Sequence, residues 1–377
     1  MVEPKDSPKD PLKDALAITN CVIIDGTGDA PIPNAIIVIS EGVIVAVGPA
    51  NSTVVPENAQ IIDVEGATVL PGFINAHIHS GFNKENLQAW AQAGVTTVRD
   101  LGGPSLFGWK EEMSKDNSCA RLVAAGPMVS VPGGYPLVPW GSLNMITVDS
   151  AEDAQTKVTE LLNAGADIVK LALESGASFG RVIPTLSPEE ALAVVNTVHS
   201  NGTVASAHIL VSGDLAKALA ACVDDIAHMV VGSLPKSLID VMIGDSVFWV
   251  PTLEPWHHVN TNLRDSAISN LRKFVLSGGV VALGTDYDGY NAVFQIGMPI
   301  NEMKWMAQAG MSSMQIIVAG TKNAACTCNR SSDLGTLEAG KIADILVVNG
   351  DPIEDIDNLK NVRLVIHNGE IIRNSGS

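Results

Sequence analysis

The chain has 377 residues, 46% of them hydrophobic and 17% charged, enough to bury the core of one α/β barrel and a smaller module. Its formal net charge of −18 disfavours nucleic acid and anionic membranes as partners, because phosphate is bound mainly by Lys and Arg, and this leaves small-molecule chemistry. Five cysteines, odd in number and scattered, argue against a disulfide framework, and the one close pair, Cys326 and Cys328, lies in a helix-like segment where such neighbours diverge.

The start, MVEPKDSPKDPLKD, is charged and proline-rich, and residues 1–14 read as a flexible tail without the apolar core of a signal peptide. No apolar run reaches the roughly 18 residues needed to span a bilayer. A cytoplasmic protein is expected, with homo-oligomerisation left open. From Ala15 to Val69 the pattern is short β-branched strands separated by turns at Gly26, Gly28, Gly42 and Gly48. The same flavour returns over 331–377, in LGTLEAGKIADILVVNGD and VRLVIHNGEIIRNS. Two β-rich ends around an α/β middle predict one small β-sandwich built from both termini, 15–69 with 331–377.

Between them, over 70–330, strand-like runs alternate with helix-like ones. Eight strands are expected: 74–79, 96–100, 121–129, 168–173, 204–209, 224–229, 247–253 and 281–286. Ser150 and Ser187, the latter followed by Pro188, mark helix starts, and Ala93-Gly94, Ala164-Gly165 and Ser277-Gly278 mark helix ends. Eight βα units in this order imply a parallel (β/α)8 TIM barrel, whose active site lies at the C-terminal ends of its strands.

The polar candidates fall at those ends. In LPGFINAHIHS, residues 70–80, His77 and His79 are one residue apart and face the same side of a strand, so two imidazoles can grip one ion. Lys170 lies in the fourth strand, His208 and His228 close the fifth and sixth, and Asp286 ends the eighth. Six such residues in an otherwise apolar interior are costly unless paired or bound to metal.

With this set the chain resembles the amidohydrolase superfamily, its imidazolonepropionase-like and metal-dependent dipeptidase-like branches, over nearly its whole length. The resemblance implies that His77, His79 and Asp286 hold a buried metal, that His208 and His228 hold a more exposed one, and that Lys170 bridges them. A protonated amine cannot ligate a cation, so Lys170 would react with CO₂ to give an N6-carboxylated side chain. If Lys170 instead made an ordinary buried salt bridge, the site would hold one metal. Two divalent ions, zinc for preference but Mn, Fe or Co equally compatible with these donors, would share a hydroxide that attacks a carbonyl. Asp286 would take its proton and deliver it to the leaving nitrogen.

Substrate would be read by loops after the strands. Tyr135, with Trp140, sits after the third strand, Arg181 after the fourth as a candidate carboxylate clamp, and His257 and His258 after the seventh as candidate carboxylate or carbonyl contacts. Tyr287 and Tyr290 could flank the mouth. Asp100 and Asp288 read as turn or loop residues, and His199 and His367 as structural or exposed.

The expected reaction is metal-dependent hydrolysis of an amide-type C–N bond, in a dipeptide, an N-acyl amino acid or a cyclic amide. Lactone or phosphotriester hydrolysis would use the same metal pair. A mononuclear deaminase is less well matched, because deaminases of this superfamily usually carry a glutamate a few residues after the fifth-strand histidine, and here ILVSGD follows His208. A non-catalytic scaffold on the same fold would be expected to have lost ligands, and none of the six is missing.

Overall fold

A computed structural model describes residues 14–288 and 296–375. The tail expected over 1–14 lies outside the described residues apart from Asp14, and so does Tyr290.

Strands β1 (Leu16–Ile23), β2 (Ile32–Ser40), β3 (Val43–Pro49), β4 (Gln60–Asp63) and β5 (Thr68–Pro71) come first. The middle supplies β6 (Phe73–Ile78), β7 (Val95–Asp100), β8 (Arg121–Ala124), β9 (Met128–Ser130) and β10 (Met145–Thr147). It continues with β11 (Val169–Ala172), β12 (Ala205–His208), β13 (Asp225–Ala227) and β14 (Phe248–Val250). The chain ends with β15 (Ile345–Val348), β16 (Val362–His367) and β17 (Glu370–Asn374).

Both ends of the chain share one eight-stranded sheet, in the order β17-β16-β15-β5-β1-β2-β3 with β4 also paired to β1. β5 joins them, antiparallel to β15 through Val69 and Val347 and parallel to β1 through Thr68 and Val22. Alternation decides the faces: Ile18, Ile37 and Ile39 pack with Val69, Ile345 and Ile366, whereas Ala17, Ile36 and Val38 join a second cluster with Val55 and Ala59.

The middle strands pair in parallel, β6-β7-β8 in one ladder and β10-β9-β11-β12-β13-β14 in another. Helices between them start and stop at local signals. Ser187 and Glu190 form a reciprocal capping box on Pro188–Ser200, and the Ser150 hydroxyl accepts from the Asp153 N–H at 3.1 Å. The glycines after Ala93, Ala164 and Ser277 adopt φ of 87°, 115° and 92°, the left-handed turn that ends each of those helices.

Two expected strands differ. The run over 121–129 breaks at Gly126 (φ 70°), where a Cβ would stand 2.7 Å from the Phe107 ring, so β8 and β9 are separate. Over 281–286 there is no ladder, only bridges from Val281 to Trp249 and from Tyr287 to Ile78. The reason lies at its end, where the Thr285 and Asp286 N–H groups both donate to the His77 carbonyl, at 3.1 and 2.8 Å, and the register slips. The segment still lies hard against β6 and β14: a Cβ on Gly284 would meet Val250 Cγ1 at 2.4 Å and His77 Cβ at 2.7 Å. Gly284→Ala should therefore lower stability by about 1–3 kcal/mol through overpacking, read as a lower urea midpoint at unchanged slope. A wild-type midpoint would mean that this contact is soft.

Candidate active site

His77 is in β6 and 1% exposed, His208 ends β12, and His79 and His228 follow β6 and β13 directly. The strand ends bring their rings together, with centroids 5.4 Å apart for His77 and His79, 4.8 Å for His77 and His228, and 4.5 Å for His208 and His228. Asp286 completes the group. Its Oδ1 lies 3.2 Å from both His77 Nε2 and His79 Nε2, and its Oδ2 lies 3.9 Å from His228 Nδ1. Among the described residues, His77, His79 and Asp286 are a set whose candidate ligand atoms all fall within 4.8 Å of one another.

Three residues at successive strand ends hold left-handed backbone: His228 (φ 69°), Thr252 (φ 45°) and Asp286 (φ 59°). For side chains of these kinds such angles cost about 1–3 kcal/mol each and persist only where the surroundings enforce them. The enforcement is visible. His228 N donates to the Val250 carbonyl at 3.0 Å, the Trp249 indole donates to the His228 carbonyl at 2.6 Å, and the His228 Nδ1 meets Thr252 Oγ1 at 2.8 Å.

Burial dominates the electrostatics. It lowers His77 to about 3 and holds His208 and His228 well below the ordinary imidazole range, so these rings are neutral and keep a lone pair. His79 is raised overall, since its Asp286 hydrogen bond and charge outweigh burial. For Asp286, burial is overcome by His228 and His77, and its carboxylate stays ionised well below the ordinary range. Lys170, 1% exposed, is lowered to about 7 by burial, with Asp225 opposing and Arg99 assisting, and its amine sits 3.5 Å from Ser206 Oγ. Buried neutral imidazoles around an ionised carboxylate are a donor set that fits divalent cations.

The other expected site residues scatter. The Tyr135 ring stacks on His208 at 4.0 Å and 21°, which brings it into the cluster. Burial raises its hydroxyl above the usual phenol value. Arg181 is exposed on the loop after β11. His257 and His258 are exposed on the helix Glu254–Val259 and line a separate cavity of about 310 Å³ with Glu254, Asn301 and Trp305. There His257 Nδ1 meets Arg264 at 3.0 Å. Asp100 accepts the Gly81 and Gly102 N–H groups at 2.8 and 3.0 Å, and so anchors two loops at the rim.

Three buried carboxylates near these strand ends escaped the sequence reading. Glu302 clamps the Leu253 and Glu254 N–H groups, both at 2.8 Å, and burial pushes it up to about 8. Asp225 pairs with Arg99 beneath the site. Glu174, 0% exposed and raised to about 7 by burial, faces His208. Only Glu174 had a signal, its place four residues after Lys170 at the same strand end.

The sequence model of the amidohydrolase family matches residues 68–372. Ochratoxinase of Aspergillus niger is 21% identical over 415 residues, an alignment covering 92% of this chain and 83% of that one. Imidazolonepropionase of Salinispora arenicola is 26% identical over 390 residues, covering 91% and 94%. Among solved structures, a Xaa-Pro dipeptidase with methionine bound in its active site superposes with a TM-score of 0.80 at 25% identity, covering 95% of this chain and 99% of that one.

Proposed function

The chain belongs to the amidohydrolase family, and on that premise we propose that it is a metal-dependent hydrolase of an amide-type C–N bond in a small molecule. The observation that carries this reading is the Asp286 oxygen set 3.2 Å from both His77 Nε2 and His79 Nε2, beside the buried rings of His208 and His228. In this reading residues 70–330 are one (β/α)8 barrel, closed through the 281–287 segment, and 15–69 with 331–377 are the attached β domain.

His77, His79 and Asp286 would hold one divalent cation, His208 and His228 a second, and Lys170 would bridge them after carboxylation. Zinc is the first choice for histidine and carboxylate donors. Such ions supply an acidified water and polarise the substrate carbonyl. The Lys170 ammonium would lose one proton, add through its nitrogen to the carbon of CO₂ and lose a second proton, so that a positive side chain becomes a negative one. Asp286 keeps Oδ1 toward His77 and His79, so Oδ2 is the atom that would take the proton of the attacking water and pass it to the leaving nitrogen. Tyr135, packed on His208, would line the carbonyl side of the pocket. Arg181, His257 and His258, being exposed, would at most meet the outer part of a substrate.

A hydrolysis screen of metal-loaded protein against dipeptides, N-acyl amino acids, cyclic amides, lactones and phosphotriesters tests the reaction class. Turnover of an amide supports it; turnover confined to the esters, or protein that binds no divalent ion, overturns it. Lys170→Ala should weaken metal binding at least about tenfold. Metal content should then recover in part with added acetate or propionate, which can refill the space left by the side chain. Full metal content without rescue would argue against the carboxylated lysine.

A further inference from the structure

Glu174 stands two residues beyond the end of β11 with a fully buried side chain. One of its oxygens, Oε1, accepts the Gly176 N–H at 2.7 Å and the Ser178 hydroxyl at 3.3 Å, which shapes the loop. The other, Oε2, has no hydrogen-bond partner. His208 Nε2, 3.9 Å away, is likewise buried and unpartnered. An acceptor and a potential donor thus face each other, about 1 Å beyond hydrogen-bond length.

What the contact would decide is the proton position on His208. Stacking on Tyr135 and the edge contact with His228 fix the plane of the ring, but a stack does not distinguish the two nitrogens. An ionised carboxylate at Nε2 does, because in that form it only accepts.

We propose that Glu174 is a positioning residue that accepts the Nε2–H of His208 and so leaves Nδ1 as the cation-binding atom. The proposal rests on the reading that His208 holds a cation. A carboxylate behind a ligating imidazole fixes its tautomer and raises its basicity.

Glu174→Gln separates this role from loop anchoring. The glutamine carbonyl keeps the Gly176 and Ser178 contacts, but its amide turns two N–H donors toward Nε2 and favours the Nδ1–H tautomer. Long-range ¹H–¹⁵N NMR of the metal-free protein, with the His208 signals assigned by their loss in His208→Gln, should show Nε2–H in wild type and Nδ1–H in Glu174→Gln. Zinc titration should show the weaker site losing about 10–100-fold in affinity in Glu174→Gln, and less in Glu174→Ala, which leaves the tautomer free. Ser178→Ala, losing only a loop contact, should match wild type in both measurements. A wild-type tautomer and affinity in Glu174→Gln, or the same change in Ser178→Ala, overturns the proposal. Because the tautomer is read without metal, a chain that binds no cation would sink the hydrolase reading and leave this result standing.

Discussion

Asp286→Asn should lower kcat by about 10²–10⁴-fold, the range a positioned general acid–base supplies, while much of the bound metal remains. Asparagine keeps an oxygen where Asp286 Oδ1 lies 3.2 Å from both His77 Nε2 and His79 Nε2, so the coordinating position survives. What it loses is the ability to take a proton, because the amide nitrogen that replaces Oδ2 has no basic lone pair. The loss should therefore fall on kcat, with metal content by elemental analysis and KM changed less. Wild-type turnover in a metal-loaded Asp286→Asn protein would remove Asp286 from the proton pathway. Loss of turnover together with all the metal would make it a ligand and nothing more. The experiment thus separates two roles that one carboxylate carries in the proposed mechanism.

The histidine cluster was legible because its signal is local: strand alternation puts His77 and His79 on one side, and His208, His228 and Asp286 each close an apolar run. Helix boundaries were legible for the same reason, through Ser187-Pro188 and the glycines after Ala93, Ala164 and Ser277. What could not be read depends on contacts between distant residues. The break at Gly126 answers to the Phe107 ring, and the lost ladder over 281–286 answers to a His77 carbonyl shared by two N–H groups. Glu302 reads as one more helix acid until its two oxygens are seen to hold Leu253 and Glu254, 49 and 48 residues earlier. Arg181 was a reasonable candidate by position, but nothing in a sequence says whether a loop cation turns inward or out to water.

The left-handed backbone at His228, Thr252 and Asp286 connects these observations. Each lies where the chain turns out of the barrel wall and carries a polar group toward the site, and the kink at His228 is fixed by its bonds to Val250, Trp249 and Thr252. A site assembled from strained strand ends needs a rigid floor. Here that floor is charged.

Arg99→Met should destabilise the protein by about 3–5 kcal/mol, the cost of leaving a buried charge without its partner. Arg99 and Asp225 are both 0% exposed, joined through NH1 at 2.7 Å and NH2 at 3.0 Å. The remaining donors of Arg99 reach the carbonyls of Ala76 at 2.6 Å and Thr327 at 2.7 Å, so the guanidinium ties β6, β7, β13 and the helix Ala324–Thr327 together. Asp225 Oδ1 also accepts from Ser206 Oγ at 2.7 Å, and Ser206 lies beside Lys170. Removing the arginine alone leaves the buried Asp225 without its ion-pair partner and takes a donor from each of the two carbonyls. It also removes a charge that lowers Lys170 and keeps one that raises it, which favours the protonated amine that cannot react with CO₂. Arg99→Met should therefore lose metal as well as stability. The double variant Arg99→Met/Asp225→Leu, with no charge left to strand, should recover most of the urea midpoint, and the difference between the two gives the coupling directly. If the single variant unfolds at the wild-type midpoint, the ion pair is not what holds the floor; if the double variant is no better than the single, the loss comes from the carbonyl contacts and not from the buried charge.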